Sequence, residues 1–230
     1  MSVDFLIVGA QRGGTTALHR YLSAHPYINM AREKEVHHFD ARKPKDSEWY
    51  ESNWDGEGLR GEATPAYMFM PEVPPRVHAY NPDMKLIFLL RHPVDRAYSH
   101  YLMDKRRGTT AQGFGWLMHQ ELRLLGQCRR YSYVMRGFYM HQIARWWAWF
   151  PVDQMLFLRS EEFLRDRPGT LEQVCSFLGV DRTPKLPHDK HVQGYAPLAG
   201  KMRESLLRRY DYEITAIELL TSWSLDEWRR

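Results

Sequence analysis

Two cysteines, Cys128 and Cys175, are all that the 230 residues contain. Neither a disulfide framework nor a cysteine-based metal site is expected from so few. The 11 histidines are scattered, and no H-E-x-x-H or similar ligand spacing occurs. No apolar stretch approaches the roughly 20 residues that a membrane span needs. The N-terminus lacks a basic region and an apolar core, so it does not read as a secretory signal. Charge of one sign is also missing. The 32 basic and 28 acidic residues leave +4, and no five like charges stand in a row. That balance suits an anionic ligand but not a nucleic-acid arm. Repeats and low-complexity segments are absent. The expectation is a soluble, cytoplasmic protein with no metal, no nucleic-acid partner and no membrane span. It reads as one domain over 1–230, of unassigned oligomeric state.

What is present alternates strands with helices. Phe5–Val8 is a short apolar run, as in a buried parallel strand. Gly9 to Gly14 is a glycine loop, and from Thr15 the apolar residues Leu18, Tyr21 and Leu22 take helical spacing. Lys85–Leu90 and Gln154–Leu158 read as further buried strands, closed by Arg91 and Arg159. Helices are expected after Pro93, over 137–150, after Pro168 and over 201–220. The segments 40–60, 104–115 and 181–198 read as loops. This is an α/β chain with a P-loop-like parallel β-sheet flanked by helices on both faces. In such sheets ligands sit beyond the carboxyl ends of the strands, where Gly9–Thr16, Arg91 and Arg159 fall.

The spacing Gly9-x4-Gly14 is that of an ATP-binding loop, whose backbone N–H groups and following helix cradle an anion. Thr15, however, stands where that loop needs lysine, and the nearest cation is Arg12. The strands end in arginines rather than in an Asp for Mg²⁺. Taken alone, Gly9–Gly14 also reads as a plain strand-to-helix turn.

Four blocks together resemble the sulfotransferases that use 3′-phosphoadenosine-5′-phosphosulfate (PAPS), above all the heparan sulfate N- and O-sulfotransferase branch and its bacterial relatives. The blocks are Val8–Leu18 with His25-Pro26, Lys34-Glu-Val-His-His-Phe-Asp40, Gly61-Glu-Ala-Thr-Pro-Ala-Tyr67 and Leu86–Tyr101. The resemblance implies the sulfotransferase fold and PAPS as co-substrate. It implies that Arg12, Gly13, Gly14, Thr15 and Thr16 bind the 5′-phosphosulfate, and that Arg91 and Ser99 bind the 3′-phosphate. It also implies catalytic roles for Glu35, as base, and for Arg12, which stands where the family usually carries lysine. Ala63 replaces a lysine that some heparan enzymes place near the acceptor. Lys190–Tyr195 loosely matches the loop that closes over PAPS.

If Lys34–Phe39 is extended, Glu35 and His37 share one face and His38 points away. His37 then orients Glu35 or contacts the acceptor, and an exchange of roles with Glu35 stays open. By themselves Glu33, Lys34 and Glu35 read as a solvated charge cluster. Arg96 reads as a surface charge, and Glu161, Glu162 and Asp166 as a solvated helix face. Trp146 and Trp149 read as core, and Tyr139 as core or nucleotide contact. The acceptor is expected to be a small molecule, a glycan or a lipid, attacked at a hydroxyl or amine. The competing readings are a small-molecule kinase and a non-catalytic nucleotide-binding protein.

Overall fold

The computed structural model describes residues 2–123, 132–181 and 194–230. Cys128 and all of Lys190–Tyr195 except Gly194 and Tyr195 lie outside them. Five parallel strands form one sheet in the order β2-β3-β1-β4-β5. They are β1 (Phe5–Gly9), β2 (Ile28–Met30), β3 (Leu59–Ala63), β4 (Lys85–Leu90) and β5 (Met155–Arg159). The helices are α1 (Thr15–Leu22), α2 (Ser47–Glu51), α3 (Val73–Tyr80), α4 (Pro93–Arg106), α5 (Phe114–Arg123), α6 (Tyr139–Trp147), α7 (Ser160–Arg165), α8 (Arg167–Leu178) and α9 (Gly200–Thr221). Strand β1 sits at the centre, paired with β3 and β4, and every one of its side chains is buried.

Alternation along β1 and β4 divides the core. Phe5, Ile7, Ile87 and Leu89 face a cluster with Leu18, Tyr21 and Leu22 of α1, Phe163 of α7, and Leu171 and Val174 of α8. The intervening residues turn to the opposite face, where Phe88 meets Trp146 edge-on at 6.0 Å. A sheet covered on both faces has no solvated side to spend polar residues on. Hence the near-continuous apolar runs of β1 and β4.

The chain groups into two compact units. The first comprises residues 1–90 and 144–191 and holds the sheet; the second comprises 91–143 and 192–230. In the second, α4 packs against α9 and against the 3-10 turn Met135–Gly137. The Tyr210 hydroxyl donates to the Val134 carbonyl at 2.7 Å, and Glu213 accepts from the Met140 N–H at 2.8 Å.

Several local expectations are corrected. The 40–60 segment is not all loop: Asp46 accepts from Trp49 N at 2.7 Å and caps α2, and β3 starts at Leu59. Helix α8 begins before Pro168, which sits in its first turn, where a missing N–H costs nothing. Asp166 is its cap, accepting from Gly169 N, and Glu162 pairs with Arg159 and Arg165; neither merely faces solvent. Trp149 is 45 % exposed, in the turn that follows α6, with its ring 5.5 Å from His78. Arg96 is fully buried, its Nη2 on the Tyr133 carbonyl. Its place on the inner stripe of α4, beside buried Ser99 and His100, overrides its charge.

Candidate functional site

The glycine loop leaves the end of β1 and opens α1. Ala10 N donates to Leu89 O at 2.9 Å and Gly13 N to Ala10 O at 2.8 Å, pinning the loop to β4. A Cβ on Gly13 would stand 2.2 Å from Leu89 O, so no other residue fits without moving backbone. Gly14 carries φ 104° and makes no side-chain cap to α1. Arg12 also takes the left-handed region, at φ 71°, which a non-glycine residue enters at some cost. Thr15 is buried while Thr16 is open to solvent. An uncapped helix N-terminus with glycine before it and a cation two residues earlier is a place for an anion.

Also in the first unit, residues 31–40 form an irregular loop after β2. Lys34–Phe39 is not extended as expected. Glu35 at φ 67° and His37 at φ 55° are both left-handed. These two turns bring the side chains together, a contact expected from strand alternation but reached by another route. His37 Nε2 lies 3.3 Å from Glu35 Oε2, and Lys34 Nζ donates to Glu35 Oε1 at 2.9 Å. On its other side His37 Nδ1 lies 2.9 Å from Asp40 Oδ2. The imidazole is thus held between two carboxylates. Asp40, and then Glu35, drive its pKa up to about 10. Partial burial opposes ionisation of Glu35, but the bonds from His37 and Lys34 outweigh it and hold the carboxyl down at about 2. His38 does turn away, as expected, into a buried stack on Tyr50 at 4.3 Å.

The second unit begins with Arg91, which follows β4. Its Nη2 donates to the Tyr195 hydroxyl at 2.8 Å, and that hydroxyl donates to Asp95 O at 3.1 Å. From behind, the buried Tyr139 hydroxyl donates to Arg91 O at 2.6 Å. Tyr195 thus engages the guanidinium and Tyr139 fixes the backbone that bears it, a rigid fork suited to phosphate. Ser99 lies two turns along α4 and is 1 % exposed. Pro93 sits in the first turn of α4 and His92 caps it through Asp95 N. Asp95 in turn pairs with Arg203 at 2.7 Å. Arg159, the other strand-end cation, is engaged by Glu162 instead. Among the described residues no group of His, Cys, Asp and Glu could hold a metal ion, and no helix is long and apolar enough to cross a membrane.

No site role was assigned from the sequence to Asp40 or to the carboxylate of Glu62. Asp40 was signalled by its place three residues after His37. Tyr195 entered only as the end of the loosely matched segment Lys190–Tyr195; its bond to Arg91, 104 residues away, had no local signal.

The sulfotransferase domain model matches residues 2–195. The human heparan sulfate glucosamine 3-O-sulfotransferase 6 is 35 % identical over 191 residues, 81 % of this chain and 54 % of that protein. The chain thus spans about half the length of that curated relative. The crystal structure of a sulfotransferase from Alicyclobacillus acidocaldarius superposes with a TM-score of 0.87 at 29 % identity, covering 100 % of both chains. A mouse sulfotransferase complexed with PAP shares the fold at 18 % identity, with a TM-score of 0.54 over 79 % of this chain and 59 % of that one.

Proposed function

This chain belongs to the sulfotransferase family, and we propose that it moves the sulfonate of PAPS to an acceptor hydroxyl, releasing adenosine 3′,5′-bisphosphate. The observation that carries this reading is the Gly9–Thr16 loop. It keeps the anion cradle at the start of α1, carries Arg12 as its cation, and has Thr15 where an ATP loop needs lysine. Arg12, Gly13, Gly14, Thr15 and Thr16 receive the 5′-phosphosulfate. Arg91 and Ser99 receive the 3′-phosphate. The donor's terminal sulfonate carries one charge where a terminal phosphate carries about two, so fixed N–H donors and a guanidinium suffice for it.

Glu35 is the general base. The alternative, His37, is disfavoured by its setting: an imidazole gripped by Asp40 and Glu35 stays protonated at neutral pH and has no site for a further proton. His37 instead orients the carboxylate. Each carboxylate oxygen keeps a second lone pair for the acceptor's O–H. The acceptor proton passes to Glu35 as its oxygen attacks sulfur and the bridging oxygen leaves on the bisphosphate, near Arg12.

The name of the human 3-O-sulfotransferase points to a glycan hydroxyl as acceptor, and we propose that class for this chain. Incubation with sulfur-labelled PAPS and separate pools of glucosamine-containing oligosaccharides, amines and lipids tests it. Label is expected on an oligosaccharide hydroxyl. Label confined to amines or lipids would overturn the acceptor class, and label on nothing would overturn the transferase.

A further inference from the structure

Beneath the loop that carries Glu35 lies a buried carboxylate with no part in the chemistry so far. Glu62, on β3, is 0 % exposed. Its Oε1 accepts from Thr64 Oγ1 at 2.5 Å and its Oε2 from the Tyr50 hydroxyl. Burial raises its pKa, and the hydroxyls of Thr64, Tyr50 and the neighbouring Tyr67 oppose that rise. Burying a carboxylate is costly, and an apolar residue of similar volume would often serve packing as well. What distinguishes Glu62 is where its two tyrosines lead.

Both lead to residues 38 and 39, the only two between His37 and Asp40. The Tyr67 hydroxyl accepts from Phe39 N at 3.3 Å, and its ring meets Phe39 at 5.7 Å. The Tyr50 ring stacks on His38 at 4.3 Å, 14° from parallel, and meets Phe39 at 5.1 Å. Arg76 Nη1 closes the far side, donating to the Phe39 and Ala41 carbonyls at 2.8 and 2.9 Å. The left-handed turns at Glu35 and His37 are therefore followed by a segment fixed through side chain, N–H and carbonyl. We propose that Glu62 is a positioning residue: by holding the Tyr50 hydroxyl it fixes the ring on which His38 and Phe39 pack, and so sets the spacing of Asp40, His37 and Glu35. The proposal rests on Glu35 acting as base. Glu62 touches no reacting atom in it.

The test reads the histidine rather than turnover. In protein labelled at the histidine rings, the His37 imidazole is followed by NMR through its titration near pH 10. Tyr50→Phe keeps the ring against His38 and Phe39 and deletes the hydroxyl bonded to Glu62. Its His37 midpoint is expected to fall by about one pH unit or more, as the grip of Asp40 and Glu35 loosens. Glu62→Gln keeps the volume and is expected to act in the same direction, so the question survives if one variant fails to fold. A His37 midpoint unmoved in a folded variant would leave Glu62 as core packing and overturn the proposal. Thermal shift with adenosine 3′,5′-bisphosphate runs in parallel and should be retained in both variants. Its absence in the unsubstituted protein would count against the sulfotransferase reading alone, since the His37 titration uses no ligand.

Discussion

At the residue scale the decisive pair is Glu35 and His37. Glu35→Gln keeps the size of the side chain and removes its ability to take a proton. Turnover of labelled PAPS should fall by about 10²–10⁴, with the bisphosphate-induced rise in melting temperature retained. Undiminished turnover would remove Glu35 from the mechanism. The pair also ties stability to pH. A carboxyl held down at about 2 stabilises the fold above its ordinary 4.5 and loses that contribution as pH falls toward 2. An imidazole raised to about 10 stabilises it below 6.5 and loses that contribution as pH rises through 10. Both contributions are therefore full only between 4.5 and 6.5. Urea midpoints of the unsubstituted protein and of His37→Asn should differ most in that window and converge by pH 10. Side chains 35 % and 49 % exposed are well screened, so the difference stays below about 1 kcal/mol. A gap that widens above pH 7 would contradict the pairing. That Glu35 and His37 meet was legible in the motif; why they meet was not. Alternation presumes a strand, and nothing in Lys34-Glu-Val-His announces two left-handed residues, since neither glycine nor asparagine marks them.

At the element scale, legibility followed the source of each element's stability. Strands β1 and β4 and helix α1 show themselves because their own side chains fill the core. Strand β3 reads Leu-Arg-Gly-Glu-Ala and shows no apolar run. It is a strand because β1 and β2 pair with it on either side, and its Glu62 is satisfied by hydroxyls from α2 and from the turn after it. Such reasons are tertiary and leave no local periodicity. The same dependence makes the glycine loop brittle. Gly13→Ala puts a methyl into Leu89 O and Ala10 O, at 2.2 and 2.9 Å, neither of which is a movable side-chain tip. The cost should reach about 1–3 kcal/mol, read as a lower urea midpoint together with loss of bisphosphate binding. Retained stability and binding would mean that the loop is not pinned to β4. Tyr139→Phe makes the complementary test on Arg91. It frees the Arg91 carbonyl from a 2.6 Å bond while keeping the ring against Trp228. Losing one hydrogen bond is worth about 1 kcal/mol, which caps the loss in affinity for adenosine 3′,5′-bisphosphate at roughly fivefold. Affinity for adenosine 5′-monophosphate, which lacks the 3′-phosphate, should not change. An equal loss for both nucleotides would detach Tyr139 from the 3′-phosphate.

At the scale of the whole molecule the issue is which anion the chain was built to hold. The sheet, the loop after β1 and the helix it opens are shared with enzymes that bind ATP, so the fold alone does not choose. The choice lies in the substitutions. Thr15 replaces the lysine that reaches a terminal phosphate, and Arg91, not an Asp, follows the strand beside β1. Both changes weaken a Mg²⁺–triphosphate complex and neither weakens a bisphosphate with two separated charged ends. Differential binding should therefore be large. At about 100 times its Kd, adenosine 3′,5′-bisphosphate should add roughly 2.7 kcal/mol to stability. For a chain of this size that is a rise in melting temperature of roughly 5–10 °C. ATP with Mg²⁺ at the same concentration should raise it by far less, and EDTA should not alter the bisphosphate effect. Stabilisation by ATP–Mg²⁺ alone would reverse the assignment, because only a site with a metal partner and a γ-phosphate cation produces that pattern.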